Sequence, residues 1–372
     1  MALFIRALEG GGAQRDAVLL ANALAARGNN IAILTLKPKG ALTGLVARDV
    51  GVVHVPAGSL RTCLPALRGT IMGLAPGILL SSEAAQNVLT ALTFATIRGG
   101  VRPRLVLREV TSPTQALRHD PYLQNRLAYR VLGLASAQAD CVLTLTQGAR
   151  ADLIANFKVP PERIAVLRSN AVIDDETAVR LAAFDGETGR QPGLILAVGR
   201  LSPEKDHATL IEAMARLPRD LPARLVIAGD GPMRGALEAR IEALGLKGRI
   251  TLAGQISDPF AWQMRAALCV SSSRFEGLGN AIIEALSCGT PVVATDCPFG
   301  PREILEGGRY GRLVPVAEPE HMAQAIVEAL KAPVDRSALR SRAAGYTTKA
   351  AAQALVQILT ERKLVGTGFA LH

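Results

Sequence analysis

The sequence predicts an α/β protein with two domains, each built around a parallel β-sheet. Short apolar strands alternate with segments of helical length through both halves of the chain, which is the pattern of parallel-sheet domains. At 372 residues the chain is also long for a single hydrophobic core. Between the halves, residues 173–192 are acidic and end in glycine and proline, as is typical of a linker. We therefore expect domains over 1–172 and 193–345, followed by a C-terminal helical segment over 346–372.

The first half begins with a strand, a glycine-rich loop and a helix, which together indicate a Rossmann-like unit. Residues 2–6 form the strand, and Gly10, Gly11 and Gly12 follow it. Because glycine has no side chain, a ligand can approach the backbone closely there. The helix ends at Gly28. Later strands are expected at 31–36, 52–55, 105–107, 141–145 and 164–167, and helices at 122–138 and 147–156.

The second half repeats the alternation of strand and helix after the predicted linker. The apolar run at 194–198 is its first strand. Later strands are expected at 224–228, 249–252, 268–271, 292–295 and 312–314, and helices at 206–217, 233–244, 280–287, 318–331 and about 347–363. In folds of this class, ligands bind at the carboxyl ends of the strands.

Composition excludes several classes of function. Aromatic residues make up 3% of the chain, too few for stacking on single-stranded nucleic acid, so nucleic acid is not an expected partner. The five cysteines form no C-x-x-C pair, and the five histidines show no ligand spacing, so no metal site is predicted and most histidines are expected at the surface. The sequence has no apolar run of 18 residues and no signal-peptide layout, which predicts a cytoplasmic protein, soluble or peripheral to a membrane.

The net charge of +10 is concentrated in the first half of the chain. Residues 1–172 contain 19 Lys and Arg against 9 Asp and Glu, whereas residues 173–372 contain 23 of each. A basic half predicts an anionic partner. Arg61 and Arg68 border apolar residues that suit the headgroup layer of a bilayer. We therefore expect this half to bind an anionic membrane surface at its cytoplasmic face.

Residues 268–295 form the most informative stretch, a strand, a glycine-bearing loop, a helix and a second strand. The helix begins at Asn280, and its amino end carries free N–H groups and partial positive charge that suit a phosphate. Glu276 lies in the loop before it. Glu284 lies within an apolar helical segment, where a carboxylate is costly unless it is hydrogen-bonded. A vicinal diol such as a ribose satisfies that requirement.

A second candidate site, GRLSPEKD, directly follows the strand at 194–198. Its cations, Arg200 and Lys205, flank a turn at the carboxyl end of that strand, where they are placed to hold a diphosphate. The later turn at 229–235 has one residue too many for a dinucleotide fingerprint, and we interpret it as a tight strand–helix connection. The chain has neither a P-loop nor a D-x-D triplet, so no metal ion is expected on the diphosphate and no cofactor is predicted.

Five segments resemble the family 4 retaining glycosyltransferases, and the resemblance extends over nearly the whole chain. They are GGGAQRDAVLLANALAARG, TQGARADLIANFKVPPERIAVL, LAVGRLSPEKDHATLIEA, LVIAGDGPMRGALE and FEGLGNAIIEALSCGTPVVATDC…GPREIL. The resemblance implies the GT-B fold, in which two Rossmann-like domains face each other across a cleft and the C-terminal helix crosses back to the first domain. It also implies retention of the anomeric configuration by front-face attack.

The resemblance implies roles for particular residues. Arg200 and Lys205 would hold the donor diphosphate, Glu276 would contact the transferred sugar and Glu284 the ribose. The backbone amides of Leu278, Gly279, Asn280 and Ala281 would bind sugar and phosphate, and Gly11 and Gly12 would approach the donor from the other domain. Many members have a histidine at the end of the strand at 105–107. Here Arg108 and Glu109 stand there, and they are the candidates for the acceptor side.

We expect a glycosyltransferase that moves a hexose or N-acetylhexosamine from a nucleotide diphosphate sugar, UDP-linked by resemblance, to a lipid-linked or polysaccharide acceptor. Two alternatives stay open at this point. One is a GT-B-like sugar-nucleotide epimerase or hydrolase, which needs a catalytic base and no acceptor. The other is a non-enzymatic, membrane-docked nucleotide-binding protein, which tolerates loss of Glu276.

Overall fold

The computed structural model describes residues 1–9, 11–57, 60–97, 102–120 and 123–365, without the side chains of Leu60 and Arg61. The chain divides into two compact units. The first comprises Met1–Asp174 and the chain from Tyr346 onward, and the second comprises Asp175–Gly345. Each unit has its own sheet and its own core.

The first unit contains a seven-stranded, all-parallel sheet in the order β3-β2-β1-β4-β5-β6-β7. Its strands are β1 Ala2–Ala7, β2 Ile31–Lys37, β3 Val50–His54, β4 Ile78–Ser82, β5 Arg104–Glu109, β6 Cys141–Thr144 and β7 Ile164–Val166. Its helices are α1 Gly12–Ala26, α2 Leu60–Leu74, α3 Ala84–Ala95, α4 Pro113–His119, α5 Leu123–Ser136, α6 Gln147–Phe157 and, from the C-terminal end, α15 Thr348–Glu361.

Helices cover both faces of this sheet, which explains why most residues of its strands are apolar. On one face, α1 packs with the C-terminal α15, and residues such as Leu20, Leu355 and Leu359 join one cluster with the strands. On the other face, helices α2 to α6 pack through residues such as Leu67, Phe94 and Leu132. The last helix of the chain thus belongs to the core of the first unit.

The second unit contains a six-stranded, all-parallel sheet in the order β10-β9-β8-β11-β12-β13. Its strands are β8 Gln191–Val198, β9 Arg224–Ala228, β10 Ile250–Gly254, β11 Ala266–Ser271, β12 Val292–Thr295 and β13 Arg312–Val314. Its helices are α7 Asp175–Ala183, α8 His207–Arg216, α9 Arg234–Ala243, α10 Pro259–Arg265, α11 Asn280–Ser287, α12 Pro301–Ile304, α13 Pro319–Lys331 and α14 Arg336–Ala343.

Both sheets have the doubly wound order, in which the chain reverses its direction of strand addition once. The reversal falls between β1 and β4 in the first unit and between β8 and β11 in the second. At such a switch point the two following loops diverge to opposite faces of the sheet and leave a crevice at the carboxyl ends of the strands. Each unit therefore has one position at which the fold itself favours a ligand.

The prediction of two parallel-sheet, Rossmann-like domains is confirmed, and the predicted linker needs correction. Residues 173–192 do not form an irregular connection, because Asp175–Ala183 is a helix of the second unit and β8 already begins at Gln191. Thr177 and Leu181 give that helix a buried face within an otherwise acidic and polar segment. Within the described residues, no helix is both long and apolar enough to cross a bilayer.

Candidate functional site

At the switch point of the second unit, the loop after β8 and the loop after β11 are hydrogen-bonded to each other. The backbone N–H of Arg274 donates to the carbonyl of Glu204 at 2.8 Å. The Ser272 hydroxyl donates to the carbonyl of Lys205 at 2.8 Å. These bonds hold the two sequence-predicted segments, GRLSPEKD and SSSRFEG, side by side at the carboxyl ends of their strands.

The turn at 229–231 packs against GRLSPEKD, the first of these two loops. Gly229 has φ 151°, and a Cβ there would lie 1.9 Å from the carbonyl oxygen of Gly199. The backbone N–H of Leu201 donates to the carbonyl of Asp230 at 3.0 Å. This turn connects β9 to α9 tightly, as expected, and its glycine lets GRLSPEKD pack against it.

Lys205 and Glu276 form an ion pair that links the two loops. The Lys205 Nζ lies 2.5 Å from Glu276 Oε1, and the Ser273 hydroxyl donates to the same oxygen at 2.6 Å. Burial opposes the charge of the ammonium, but the adjacent Glu276 carboxylate outweighs it and raises the pKa of Lys205. Lys205 is therefore a fixed cation at neutral pH. Both bonds to Glu276 end on Oε1, so among the described residues Oε2 stays available to accept a hydrogen bond.

The loop before α11 is held in place by a second loop at 298–300. The Glu276 N–H donates to the carbonyl of Pro298 at 2.8 Å, and the Phe299 N–H donates to the carbonyl of Glu276 at 3.0 Å. Gly300 packs so tightly that a Cβ there would lie 2.0 Å from the Leu278 carbonyl oxygen. Gly279 then begins α11 with φ 108°, a conformation that favours glycine. These contacts hold the loop that leads from Glu276 into α11. They therefore also fix the amino end of α11, which has Asn280 and Ala281 in its first turn.

Glu284 lies one turn further along α11 and is half-buried, with its Oε2 inaccessible to solvent. Burial, and to a smaller extent the charge of Glu284, raise the pKa of the Cys269 thiol to about 12. Arg200 is the second residue after β8, and it is exposed. The structure thus brings Lys205 and Glu276 into direct contact. Arg200 lies in the same loop as Lys205, and Glu284 lies in α11, the helix that follows Glu276.

His207 is a residue of this site that the sequence analysis missed. The sequence pattern placed most histidines at the surface, but His207 is 5% exposed and begins α8, two residues after Lys205. Burial and the neighbouring Lys205 charge lower the pKa of His207 to about 4, so the imidazole is neutral at physiological pH. The signal in the sequence that could have identified His207 was its position directly after Asp206, the N-cap of α8.

At the switch point of the first unit, Gly11 precedes α1 with φ 146°, and Gly12 is its first residue. A Cβ on Gly11 would lie 2.2 Å from the side-chain oxygen of Gln14. The Gln14 amide donates across the switch point to Glu83 Oε1 at 2.6 Å. Glu83 follows β4 with φ 75°, and burial raises its pKa to about 7. Sequence reasoning did not find Glu83, because its strand and the following helix were not predicted.

Arg108 and Glu109 belong to β5, and both are 1% exposed. The Arg108 guanidinium forms a buried ion pair with Asp16 of α1 and donates to Asn170 Oδ1 at 2.5 Å. The Glu109 carboxyl accepts from Asn87 Nδ2 at 2.6 Å. Both acceptor-side candidates are therefore buried inside the first unit. Through its bonds to Asp16 and Asn170, Arg108 connects β5 to α1 and to the segment at 170–171.

Glu109 is expected to make stability depend on pH. Burial, with a smaller contribution from the charge of Glu83, raises its pKa from 4.5 to about 7, against the hydrogen bonds from Asn87 and Tyr129 that lower it. Between pH 4.5 and about pH 7, Glu109 is protonated more often in the native state than in the unfolded state. The contribution of Glu109 to the free energy of unfolding therefore falls as the pH rises through this range. In Glu109→Gln the midpoint of thermal unfolding of the first unit should fall less between pH 5 and pH 8 than in the wild type. An identical pH dependence in the two proteins would contradict the assignment.

Comparisons with known proteins show that each of the two units matches a glycosyltransferase family model. Residues 11–169 match the family model described as glycosyl transferase 4-like domain, and residues 192–332 match the model described as glycosyl transferases group 1. The first match covers strands β2 to β7 of the first sheet, and the second covers the six-stranded sheet from residue 192 of β8 onward.

Two curated relatives are identical to this chain at about a third of the residues that align with it. An N-acetylgalactosamine-N,N'-diacetylbacillosaminyl-diphospho-undecaprenol 4-alpha-N-acetylgalactosaminyltransferase of Campylobacter jejuni is 34% identical over 245 residues, 66% of this chain and 65% of that protein. An alpha-D-kanosaminyltransferase of Streptomyces kanamyceticus is 35% identical over 239 residues, 61% of this chain and 62% of that protein. The chain thus aligns with less than two thirds of the length of either relative.

Solved structures share the fold over almost the entire chain. Anabaena HepE, in complex with UDP and glucose, superposes with a TM-score of 0.77 at 21% identity and covers 97% of this chain and 99% of its own. WaaG, a glycosyltransferase involved in lipopolysaccharide biosynthesis, superposes with a TM-score of 0.70 at 18% identity and covers 99% and 100%. At these identities the likeness establishes the fold.

Proposed function

Because the chain belongs to the family 4 glycosyltransferases of GT-B fold, we propose that it transfers a hexose or N-acetylhexosamine from a UDP-sugar to a lipid-linked or polysaccharide acceptor. The reaction retains the anomeric configuration, requires no metal ion and takes place at the cytoplasmic face of a membrane. The observation that carries the proposal is the Lys205–Glu276 pair, which bridges the switch point of the second unit beside the amino end of α11.

The chemistry requires stabilisation of the leaving diphosphate. Negative charge builds on it as the anomeric C–O bond breaks, and cations and N–H groups fixed in advance stabilise that charge most effectively. Lys205 has three N–H bonds, of which one points to Glu276, so it retains donors for a diphosphate oxygen. Arg200 and the amides of the first turn of α11 supply further donors. No metal ligand from the chain is needed in this arrangement.

Glu276 is suited to hold the transferred sugar. Its Oε1 is already occupied by Lys205 and Ser273, which fix the orientation of the carboxylate, and its Oε2 accepts from a sugar hydroxyl. Glu284, further along α11, is assigned to the ribose, whose vicinal diol offers two donors to one carboxylate.

The names of relatives support a lipid-linked acceptor. The Campylobacter jejuni relative is named for transfer to a diphospho-undecaprenol glycan, and a Mycobacterium tuberculosis relative, 33% identical over 175 residues, is named as a phosphatidyl-myo-inositol mannosyltransferase. Both names contain a lipid, undecaprenol in the first and phosphatidyl-myo-inositol in the second. A lipid-linked acceptor also agrees with the excess of positive charge in residues 1–172.

The proposal is tested by incubating the full chain with a panel of labelled nucleotide sugars, with and without a bacterial lipid extract, and with and without EDTA. We expect label in the lipid fraction with one UDP-sugar, undiminished by EDTA. Turnover of the donor without acceptor at the same rate would instead indicate a hydrolase or an epimerase. Nucleotide binding without turnover of any donor would indicate a binding protein, and loss of activity in EDTA would contradict metal independence.

Glu276 and Glu284 are expected to differ when each is replaced by glutamine. Glu284→Gln should weaken UDP binding with little change in kcat, because a ribose contact is the same in the ground and transition states. Glu276→Gln should mainly lower kcat. Calorimetry with UDP and steady-state kinetics separate the two effects. Unchanged UDP affinity in Glu284→Gln would overturn the ribose assignment.

A further inference from the structure

The outer face of α5 carries an apolar stripe that the core does not use. The residues of the stripe and their exposures are Leu123 (66%), Leu127 (47%), Val131 (40%) and Leu134 (77%). Successive helical residues are about 100° apart, so these four positions fall within about 80° of the helix circumference. The opposite face, with Tyr129 and Leu132, is buried against the sheet. An apolar stripe this long on one exposed helix face marks an interaction surface.

Positive charge borders this stripe. Arg126 and Arg130 are exposed on α5 and lie along one side of the stripe, at about 20° to 60° from Leu123 around the helix. Arg118 is exposed at the end of α4, which packs against α5. The four helices α2, α3, α4 and α5, on one face of the sheet, contain no aspartate or glutamate. The surface is therefore both apolar and basic.

The acidic residues next to α5 in the chain are engaged within the unit. Asp120, which ends α4, accepts hydrogen bonds from Asn125 Nδ2 at 3.1 Å and 3.2 Å. Asp140, which follows α5, accepts from the Leu105 N–H at 2.7 Å and pairs with Arg104 at 3.2 Å. These carboxylates are directed toward the protein, which leaves the basic character of the outer face largely uncompensated.

We propose that the stripe on α5, with Arg126 and Arg130, is the surface by which this protein docks on an anionic phospholipid bilayer. The inference rests on the membrane location in the proposed function and names the surface responsible. A helix lying in the plane of a bilayer buries its apolar face at the headgroup boundary while its arginines contact the anionic headgroups. The sequence pattern around Arg61 and Arg68 of α2 predicts a membrane-binding surface there. The side chain of Arg61 lies outside the described residues, and α5 presents the longer exposed stripe.

A second copy of the chain is a poorer occupant of this surface. A two-fold interface apposes the same patch from both subunits, so Arg126 and Arg130 would face the same basic helices of the second copy, which contain no acidic residue to compensate them. Anionic headgroups supply the missing negative charge. Charge complementarity therefore favours a bilayer.

The test is flotation of the full chain with vesicles of phosphatidylcholine containing phosphatidylglycerol and with vesicles of phosphatidylcholine alone. We expect the wild type to float with the anionic vesicles at low salt and to be released at high salt. The double variant Leu127→Gln with Leu134→Gln should lower the partition coefficient about tenfold or more. The matched control is Val179→Gln on α7, 72% exposed in the second unit, which should bind as the wild type does.

The variant Arg126→Gln with Arg130→Gln should remove most of the salt-sensitive part of binding while keeping UDP affinity. Wild-type flotation in the Leu127→Gln, Leu134→Gln variant overturns the inference. So does a wild-type dimer that this variant dissociates without loss of vesicle binding. Transfer to a detergent-dispersed acceptor, assayed in the same proteins, separates the two proposals. Flotation without transfer contradicts the proposed function alone, and transfer without flotation contradicts docking alone.

Discussion

Replacement of Lys205 by alanine should lower kcat by about 100-fold or more, equivalent to about 2.7 kcal/mol of transition-state stabilisation. The reason is that Lys205 is a fixed cation, held 2.5 Å from Glu276 at the switch point of the second unit, where the leaving diphosphate is proposed to lie. Its loss also leaves the Glu276 carboxylate, with a side chain 12% exposed, without its cation. Arg200→Ala should act in the same direction. The measurement is steady-state transfer with saturating donor.

A matched control separates this effect from the loss of any lysine. Lys247 pairs with Glu242 at 2.6 Å, but both side chains are about two thirds exposed, so Lys247→Ala should leave activity within about twofold. A double-mutant cycle of Lys205→Ala with Glu276→Gln should show coupling of about 0.5–3 kcal/mol, because the two side chains act as one unit. Turnover like that of the wild type in both Lys205→Ala and Arg200→Ala would refute the diphosphate assignment.

Replacement of Asp16 by alanine should destabilise the first unit by about 3–5 kcal/mol, the usual cost of leaving a buried charge unpaired. The Asp16 and Arg108 side chains are 2% and 1% exposed, and the Asp16 Oδ1 also accepts from the Ala171 N–H at 2.6 Å. Without Asp16, the Arg108 guanidinium keeps its burial and loses its counter-ion. Hydrogen exchange of the amides of α1 and β5 reports the stability of this unit separately from that of the second.

Two further variants test whether the unpaired charge of Arg108 causes the loss of stability in Asp16→Ala. Glu328→Ala removes one partner of Arg312 in an ion pair of which both side chains are over 40% exposed, and it should cost at most about 1 kcal/mol. Asp16→Leu combined with Arg108→Met removes both charges and should recover much of the stability lost in Asp16→Ala. Equal losses in Asp16→Ala and Glu328→Ala would show that burial of this pair carries no special cost.

Among the described residues, the sequence predicted every strand except β4, and it identified the segments proposed to carry the chemistry. Helix α11 and strands β9, β12 and β13 have the predicted bounds, because glycine, proline or polar residues end each apolar run. The same reasoning identified Lys205 and Glu276 as candidate residues, since loops at the carboxyl ends of parallel strands are where such folds bind ligands. Short helices such as α10 and α14, and the helix within the supposed linker, were missed, since their apolar periods are too brief to recognise.

Only the tertiary structure decided which of these residues meet and which are buried. Lys205 and Glu276 are 71 residues apart in sequence, and their contact arises because the sheet order makes β8 and β11 neighbours. Arg108 and Arg200 each follow an apolar run in the sequence, yet Arg108 lies within β5 and is buried against α1, whereas Arg200 lies beyond the end of β8 and is exposed. The alternation of apolar and polar residues specifies local conformation. Burial and pairing depend on which distant elements pack together, and that information is carried by the fold.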